Sequence, residues 1–233
     1  IRFKTKANEQ VNLKIASSFI SPEQAELNLQ NEIGQQNFDQ LVAKGAATWN
    51  SQLNKIKVEG GSDDEMRTFY TALYHTMLFP RKFYEINSDN KIVHYSPYNG
   101  QIADGYMFTD NGFWDTFRAV FPFFNMMYPD QNNKIMEGLA NTYKESGWLP
   151  EWASPGHRDC MIGSNSASII ADAYLKGING FDGYIAIEVA SLPSSQPSQQ
   201  PTQQPSAQPS KQPILQPTTQ PTSQPSRPPT SQP

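Results

Sequence analysis

The chain has 233 residues, 12% of them aromatic, a formal net charge of −4, a pI near 5.4 and one cysteine, Cys160. That charge, with no Lys/Arg run, offers no footprint for nucleic acid or an anionic membrane surface, and no apolar run approaches the ~20 residues of a membrane span. A single thiol excludes an internal disulfide and leaves the redox compartment open. The first residue is Ile and no charged-then-apolar leader follows, so any signal peptide is expected outside the chain, which reads as a piece of something longer.

In chain order, "EQVNLKIASSFIS" alternates Val11, Leu13 and Ile15 with polar neighbours, the period of a half-buried strand. A lone strand is not stable, so its sheet is expected upstream of Ile1. Ser21 offers an N-cap, Pro22 fits the first helical position and Gln24 stands where a capping box places its reciprocal acceptor. Further helices are predicted at 37–54 and, after Gly60-Gly61, from Ser62, where "SDDE" precedes apolar residues at helical spacing. Residues 80–111 read as a long loop carrying Tyr84, Tyr95, Tyr98, Tyr106 and Phe108, either functional rings or pins holding the loop to the core. Helices at 112–128, 130–145 and 164–176 follow. Apart from the opening strand, the folded part is predicted to be all-α and stacked in hairpins.

From Pro193 to Pro233 a proline recurs about every fourth residue among Ser, Gln and Thr, with Ile214 and Leu215 the only sizeable apolar side chains. Burial there cannot offset about 1–2 kcal/mol per residue of backbone ordering, so a disordered stalk rich in polyproline II is expected. The period of four mostly lacks the P-x-x-P spacing that aromatic-grooved domains read.

Two stretches carry the chemistry. On a wheel of 100° per residue, Phe113, Phe117, Val120, Phe121 and Phe124 of "DNGFWDTFRAVFPFF" share one arc, the core face. Trp114 and Arg118 flank it and Asp115 lies beyond, three residues from Arg118, close enough to touch. The pair is either a solvated bridge or part of a ligand site. Carboxylate, guanidinium and indole together suit a sugar, whose hydroxyls take bidentate bonds and whose C–H face packs on a ring. Pro122 removes the donor to the Arg118 carbonyl, so a kink is expected there.

The second stretch, "GWLPEWASPGHRDC", holds Trp148, Glu151, Trp152, His157, Arg158 and Asp159. Trp148 reads as core, and Asp159 could be a helix-start acid. Its "HRD" lacks the asparagine that a kinase loop needs, since Ser164 stands there, and no Gly-rich loop accompanies it. His75, His94, His157 and Cys160 lack metal-ligand spacing. Asp115, Glu151 and Asp159 remain as candidate carboxylates for glycoside chemistry, which needs a pair at about 5–5.5 Å or 6.5–9.5 Å.

With these residues assembled, "FWDTFRAVFP", "YKESGWLPEWASPGHRDCMIGSNSAS" and "IADAYLKGINGFD" resemble successive blocks of glycoside hydrolase family 92, the calcium-dependent exo-acting α-mannosidases. Upstream, "FISPEQAELNLQNE", Trp49 with "VEGG", and "FYTALYHTMLFPR" match in the same order, so the likeness runs over residues 1–182. It implies a β-sandwich followed by an (α/α)6 barrel, with residues 1–20 ending the sandwich, 21–190 forming part of the barrel and 191–233 the stalk. It also implies an inverting reaction on terminal α-mannose of glycans, N-glycan processing included, and a secreted, cell-surface or lysosome-like location. Trp114, Asp115, Thr116 and Arg118, with Glu151, Trp152, His157 and Arg158, are implied to bind the sugar. The family's general acid, general base and much of its calcium site lie in later blocks that nothing after Asp182 matches. The resemblance therefore implies an inactive fragment of a truncated or misassembled product, or else a mannose-binding module on a Pro-rich stalk.

Overall fold

In the computed structural model, residues 2–182 are described and form part of one compact unit, Ile1–Pro193; the predicted stalk lies outside the described residues. Its helices begin where the sequence supplies caps. Ser21 accepts from the Gln24 N–H at 3.1 Å and Pro22 opens α1 (Pro22–Glu32). The Gln24 amide does not reach back to complete a box; it donates to Asn28 Oδ1 and to the Ile86 carbonyl. Full capping boxes, Asn37 with Gln40 and Ser62 with Glu65, start α2 (Phe38–Leu53) and α3 (Asp63–Thr76).

The stretch expected as a loop is instead pleated into short antiparallel ribbons. Strand β1 (Arg81–Lys82) pairs with β5 (Phe108–Thr109), and β3 (Ile92–Tyr95) lies between β2 (Glu85–Ile86) and β4 (Ile102–Asp104). Asn87 makes the β2–β3 turn, its Oδ1 accepting from the Asp89 and Lys91 N–H groups. Several of the aromatic rings are pins: Tyr84 packs edge-on to Tyr106 and Phe108, ring centroids 4.8 and 5.6 Å apart.

After β6 (Asn111–Gly112) the helix predicted at 112–128 is two helices, α4 (Phe113–Thr116) and α5 (Val120–Met127). The break falls before Pro122, not at it. Pro122 sits in the first turn of α5, where its missing donor costs little. Helix α6 (Pro129–Ser146) starts on a proline and stops at Gly147, whose φ of 78° supplies the left-handed cap. Strand β7 (Trp152–Ala153) and α7 (Asn165–Leu175) complete the described elements.

Helices α5, α6 and α7 enclose the core: Phe121, Phe124, Met136, Leu139, Ile169, Ile170 and Ala173 are buried, with Phe113 and Phe108 joining from α4 and β5. Of the five residues on the predicted arc, Phe113, Phe121 and Phe124 are buried and Phe117 and Val120 partly so. The molecule is thus mainly helical with small sheets. The strand expected at 11–19 is not formed: Val11, Leu13 and Ile15 are 46, 62 and 73% exposed and no ladder partner lies beside them among the described residues. Alternation alone cannot satisfy a strand's backbone groups.

One buried polar pair ties the ribbons to α6. His94, fully buried, has Nδ1 2.8 Å from the Gly105 carbonyl and Nε2 2.8 Å from Glu145 Oε1. Both partners are acceptors, so both ring nitrogens carry protons and the ring is an imidazolium. Burial pulls the His94 pKa down, but the bonds to Glu145 and Gly105 outweigh it and hold it above the ordinary 6.5. Burial likewise pushes Glu145 up, and the bond from His94 wins, leaving it below 4.5. The imidazolium's contribution is complete below pH 6.5 and is lost as pH rises through the raised value; the carboxylate's is complete above 4.5 and is lost as pH falls through the lowered one. Thermal melting should therefore weaken as pH rises above 6.5, and Glu145→Gln should flatten that slope. An unchanged slope in the variant contradicts the imidazolium assignment.

Candidate functional site

The two stretches that carry chemistry meet through two residue pairs. Strand β6 runs antiparallel to β7 with Asn111 opposite Ala153 and Gly112 opposite Trp152, and the Phe113 N–H extends the ladder to the Glu151 carbonyl at 3.2 Å. Gly112 is needed for space, since its φ of −92° suits any residue. A Cβ there would lie 2.7 Å from Asp115 Oδ2 and 3.3 Å from the Trp152 ring. The Asp115 carboxylate and the Trp152 indole therefore share one small patch above Gly112.

Phe113 anchors this corner in the core while Trp114, 39% exposed, and Asp115 face solvent. The expected Asp115–Arg118 pair is absent from the ion pairs of the described residues. Helix α4 ends at Thr116, so Arg118 is not on the same helix. It folds back instead: one amino group donates to the Trp114 carbonyl at 2.9 Å, and the guanidinium sits 4.6 Å from the Trp114 ring centroid and 4.4 Å from that of Phe117. Thr116 is committed to the corner, its hydroxyl donating to the Gly112 carbonyl at 3.0 Å and accepting from Asn111 Nδ2 at 3.1 Å. Asn111, buried on β6, is a member the sequence reading missed; its only signal was its place directly before the block.

Beyond β7 the chain closes a tight turn. The Trp152 carbonyl accepts from the Arg158 N–H at 2.9 Å, Arg158 Nε donates to the Ser154 carbonyl at 2.8 Å, and Gly156 turns at φ 78°. His157 points toward α6: Nε2 lies 2.9 Å from Ser146 Oγ and the ring rests 4.7 Å from Tyr98. Burial of that ring pushes its pKa below 6.5, so it is neutral at pH 7. Glu151 and Trp152 are half-buried, and Asp159 is exposed. Asp159 is not a helix-start acid, since α7 begins only at Asn165. Trp148, expected in the core, is 48% exposed, because the Gly147 cap turns the chain outward.

The geometry joins Asp115 to Trp152, stacks Arg118 on Trp114, and fixes His157 and Arg158 on the adjoining turn. A carboxylate near one indole ring can accept hydroxyl protons and pack C–H groups, the requirements of a pyranose. None of these eight candidates lines the cleft of about 470 Å³ beside Trp49, Met77 and Phe124. Among the described residues no group of three or more His, Cys, Asp or Glu could hold a metal ion. No described helix is long and apolar enough to cross a membrane.

Because Gly112 has no room for a methyl group, Gly112→Ala should displace Asp115 or Trp152 and cost about 1–3 kcal/mol in urea unfolding. A variant as stable as its parent would show that the two side chains do not crowd this position.

Comparison with known proteins identifies the family of the chain. The glycosyl hydrolase family 92 catalytic domain model matches residues 24–215. An uncharacterized secreted glycosidase from Arthroderma benhamiae is 28% identical over 186 residues, 77% of this chain and 20% of that protein. An inverting family 92 mannosidase from Bacteroides thetaiotaomicron superposes with a TM-score of 0.72 and 51% identity over 73% of this chain and 23% of its own. A family 92 α-mannosidase from the same bacterium, in complex with mannoimidazole, gives 0.63 and 30% over 77% and 24%. The chain thus spans about a fifth to a quarter of the relatives it matches. With most of its length matched, the chain belongs to glycoside hydrolase family 92 and holds part of that family's catalytic domain.

Proposed function

We propose that this chain is the part of an inverting α-mannosidase that forms the floor of its sugar site, acting on terminal α-linked mannose of glycans. The observation that carries the reading is the pairing of Gly112 with Trp152, which leaves the Asp115 carboxylate and the Trp152 ring beside one another over Gly112. In this reading Asp115 and Arg118 bind hydroxyls, Trp114 and Trp152 pack the ring, and Glu151, His157 and Arg158 border the same surface. Thr116 holds the corner from which Asp115 projects.

The reaction is attack by water activated by a general base, with a general acid protonating the leaving oxygen. Both groups are assigned to later parts of the catalytic domain, and no residue of this chain is given either role. The floor's contribution is to bind and orient: each hydroxyl bond to a charged group is worth about 1.5–3 kcal/mol once desolvated. Residues 1–20 are read as the end of a β-sandwich and the described residues after them as part of an (α/α)6 barrel. The secreted relative supports a place outside the cytosol.

A second reading, a mannose-binding module that does not hydrolyse, is favoured for the isolated chain by the openness of the site, where Trp114 is 39% exposed. Calorimetric titration of the full chain with methyl α-mannoside should give binding that Asp115→Ala and Trp152→Ala each weaken about tenfold or more, ~1.4 kcal/mol. Unchanged affinity in both variants contradicts the site. Hydrolysis of 4-nitrophenyl α-mannoside by this chain alone contradicts the assignment of the acid and base elsewhere.

A further inference from the structure

The β6–β7 ladder is two residue pairs long, too short to hold its own register. Something outside it must fix where Trp152 sits, and the residue before it has the means. Asp110 has φ 57°, in the left-handed region that aspartate tolerates better than most non-glycine residues, and there its side chain turns to two partners. Its carboxylate is divided between two partners: Oδ2 pairs with the Arg81 guanidinium, and Oδ1 accepts from Ser154 Oγ at 2.9 Å.

Those partners belong to different pieces of chain. Arg81 lies on β1, opposite Thr109 of β5. Ser154 opens the turn after β7, and its carbonyl is the one that Arg158 Nε bonds at 2.8 Å. One carboxylate thus ties β1, the β5–β6 junction and the β7 turn together. The Asp110 side chain is 15% exposed, against 64% for Arg81, so the bond to Ser154 is the more sheltered and directional of the two.

We propose that Asp110 is a positioning residue of the sugar site: it clamps the turn after β7 and so sets the distance between Trp152 and Asp115. It touches no sugar and acts through Ser154 and Arg81. The proposal rests on the sugar-site reading for its functional meaning, but the clamp has a consequence that needs no sugar.

The decisive variant is Asp110→Gly. Glycine suits φ 57° better than aspartate, so a purely conformational role predicts an equally or more stable protein with unaltered binding. The clamp predicts methyl α-mannoside affinity down about tenfold or more, whether or not the lost bonds also lower the melting temperature. Asp110→Asn, which tolerates the same φ and keeps an acceptor for Ser154, should bind within about threefold of the parent. In parallel, amide hydrogen exchange at Arg158 and Phe113, bonded to the Trp152 and Glu151 carbonyls at 2.9 and 3.2 Å, should speed about tenfold in Asp110→Gly while α6 keeps its protection.

If the parent chain binds no methyl α-mannoside, the sugar reading fails and exchange alone decides the clamp. Should Asp110→Gly not fold, Ser154→Ala removes the same bond without touching the left-handed position and should raise exchange at the same amides. Normal protection in whichever variant folds overturns the proposal, as does parental sugar affinity in Asp110→Gly.

Discussion

The site depends on the pairing of a glycine with a tryptophan. Gly112 gives the carboxylate of Asp115 and the ring of Trp152 a common surface because it has no Cβ to keep them apart. Phe113, the next residue, is buried in the core of α5, α6 and α7, and the two after it are exposed. Ladder, anchor and solvent-facing side chains thus follow one another within four residues, so the candidate groups project directly from a residue fixed in the core. This is the arrangement expected where binding groups must be held on firm elements.

The sequence disclosed much of this and missed its connection. Capping residues gave the start of α3, the apolar arc gave Phe113, Phe121 and Phe124, and the two tryptophan-rich blocks gave the candidate residues. What periodicity could not give was contact between them, because a ladder of two pairs between residues about forty apart leaves no repeat to read. The ribbons within 80–111 were hidden for the same reason: strands of two to four residues are shorter than any alternation. In 11–19 the alternation was present, but the described residues hold no strand to pair with it. Asp115 and Arg118 looked paired only while one helix was assumed to run through both.

Polar groups inside the fold hold its layers in place. Asn125 joins α5 to α7 through Asp172 at 2.8 Å and to α6 through Asn132, whose amide it accepts. The outer faces are less complete: Leu175, Ile162 and Met126 are 83, 75 and 71% exposed. Each is a large apolar side chain left in solvent by the described residues. In the proposed barrel these faces would meet the remaining helices of the longer family domain.

The central claim is that the Asp115 and Trp152 segments form one sugar surface, and the four tryptophans make it directly observable. Trp114 and Trp152 belong to that surface, whereas Trp49 packs on Tyr74 with ring centroids 4.5 Å apart, between α2 and α3. In a proton–nitrogen correlation spectrum of the full chain, titration with methyl α-mannoside should move the indole signals of Trp114 and Trp152 together, with a single dissociation constant, and leave Trp49 in place. Movement of Trp49 without the other two, or of Trp114 and Trp152 with different constants, would contradict it.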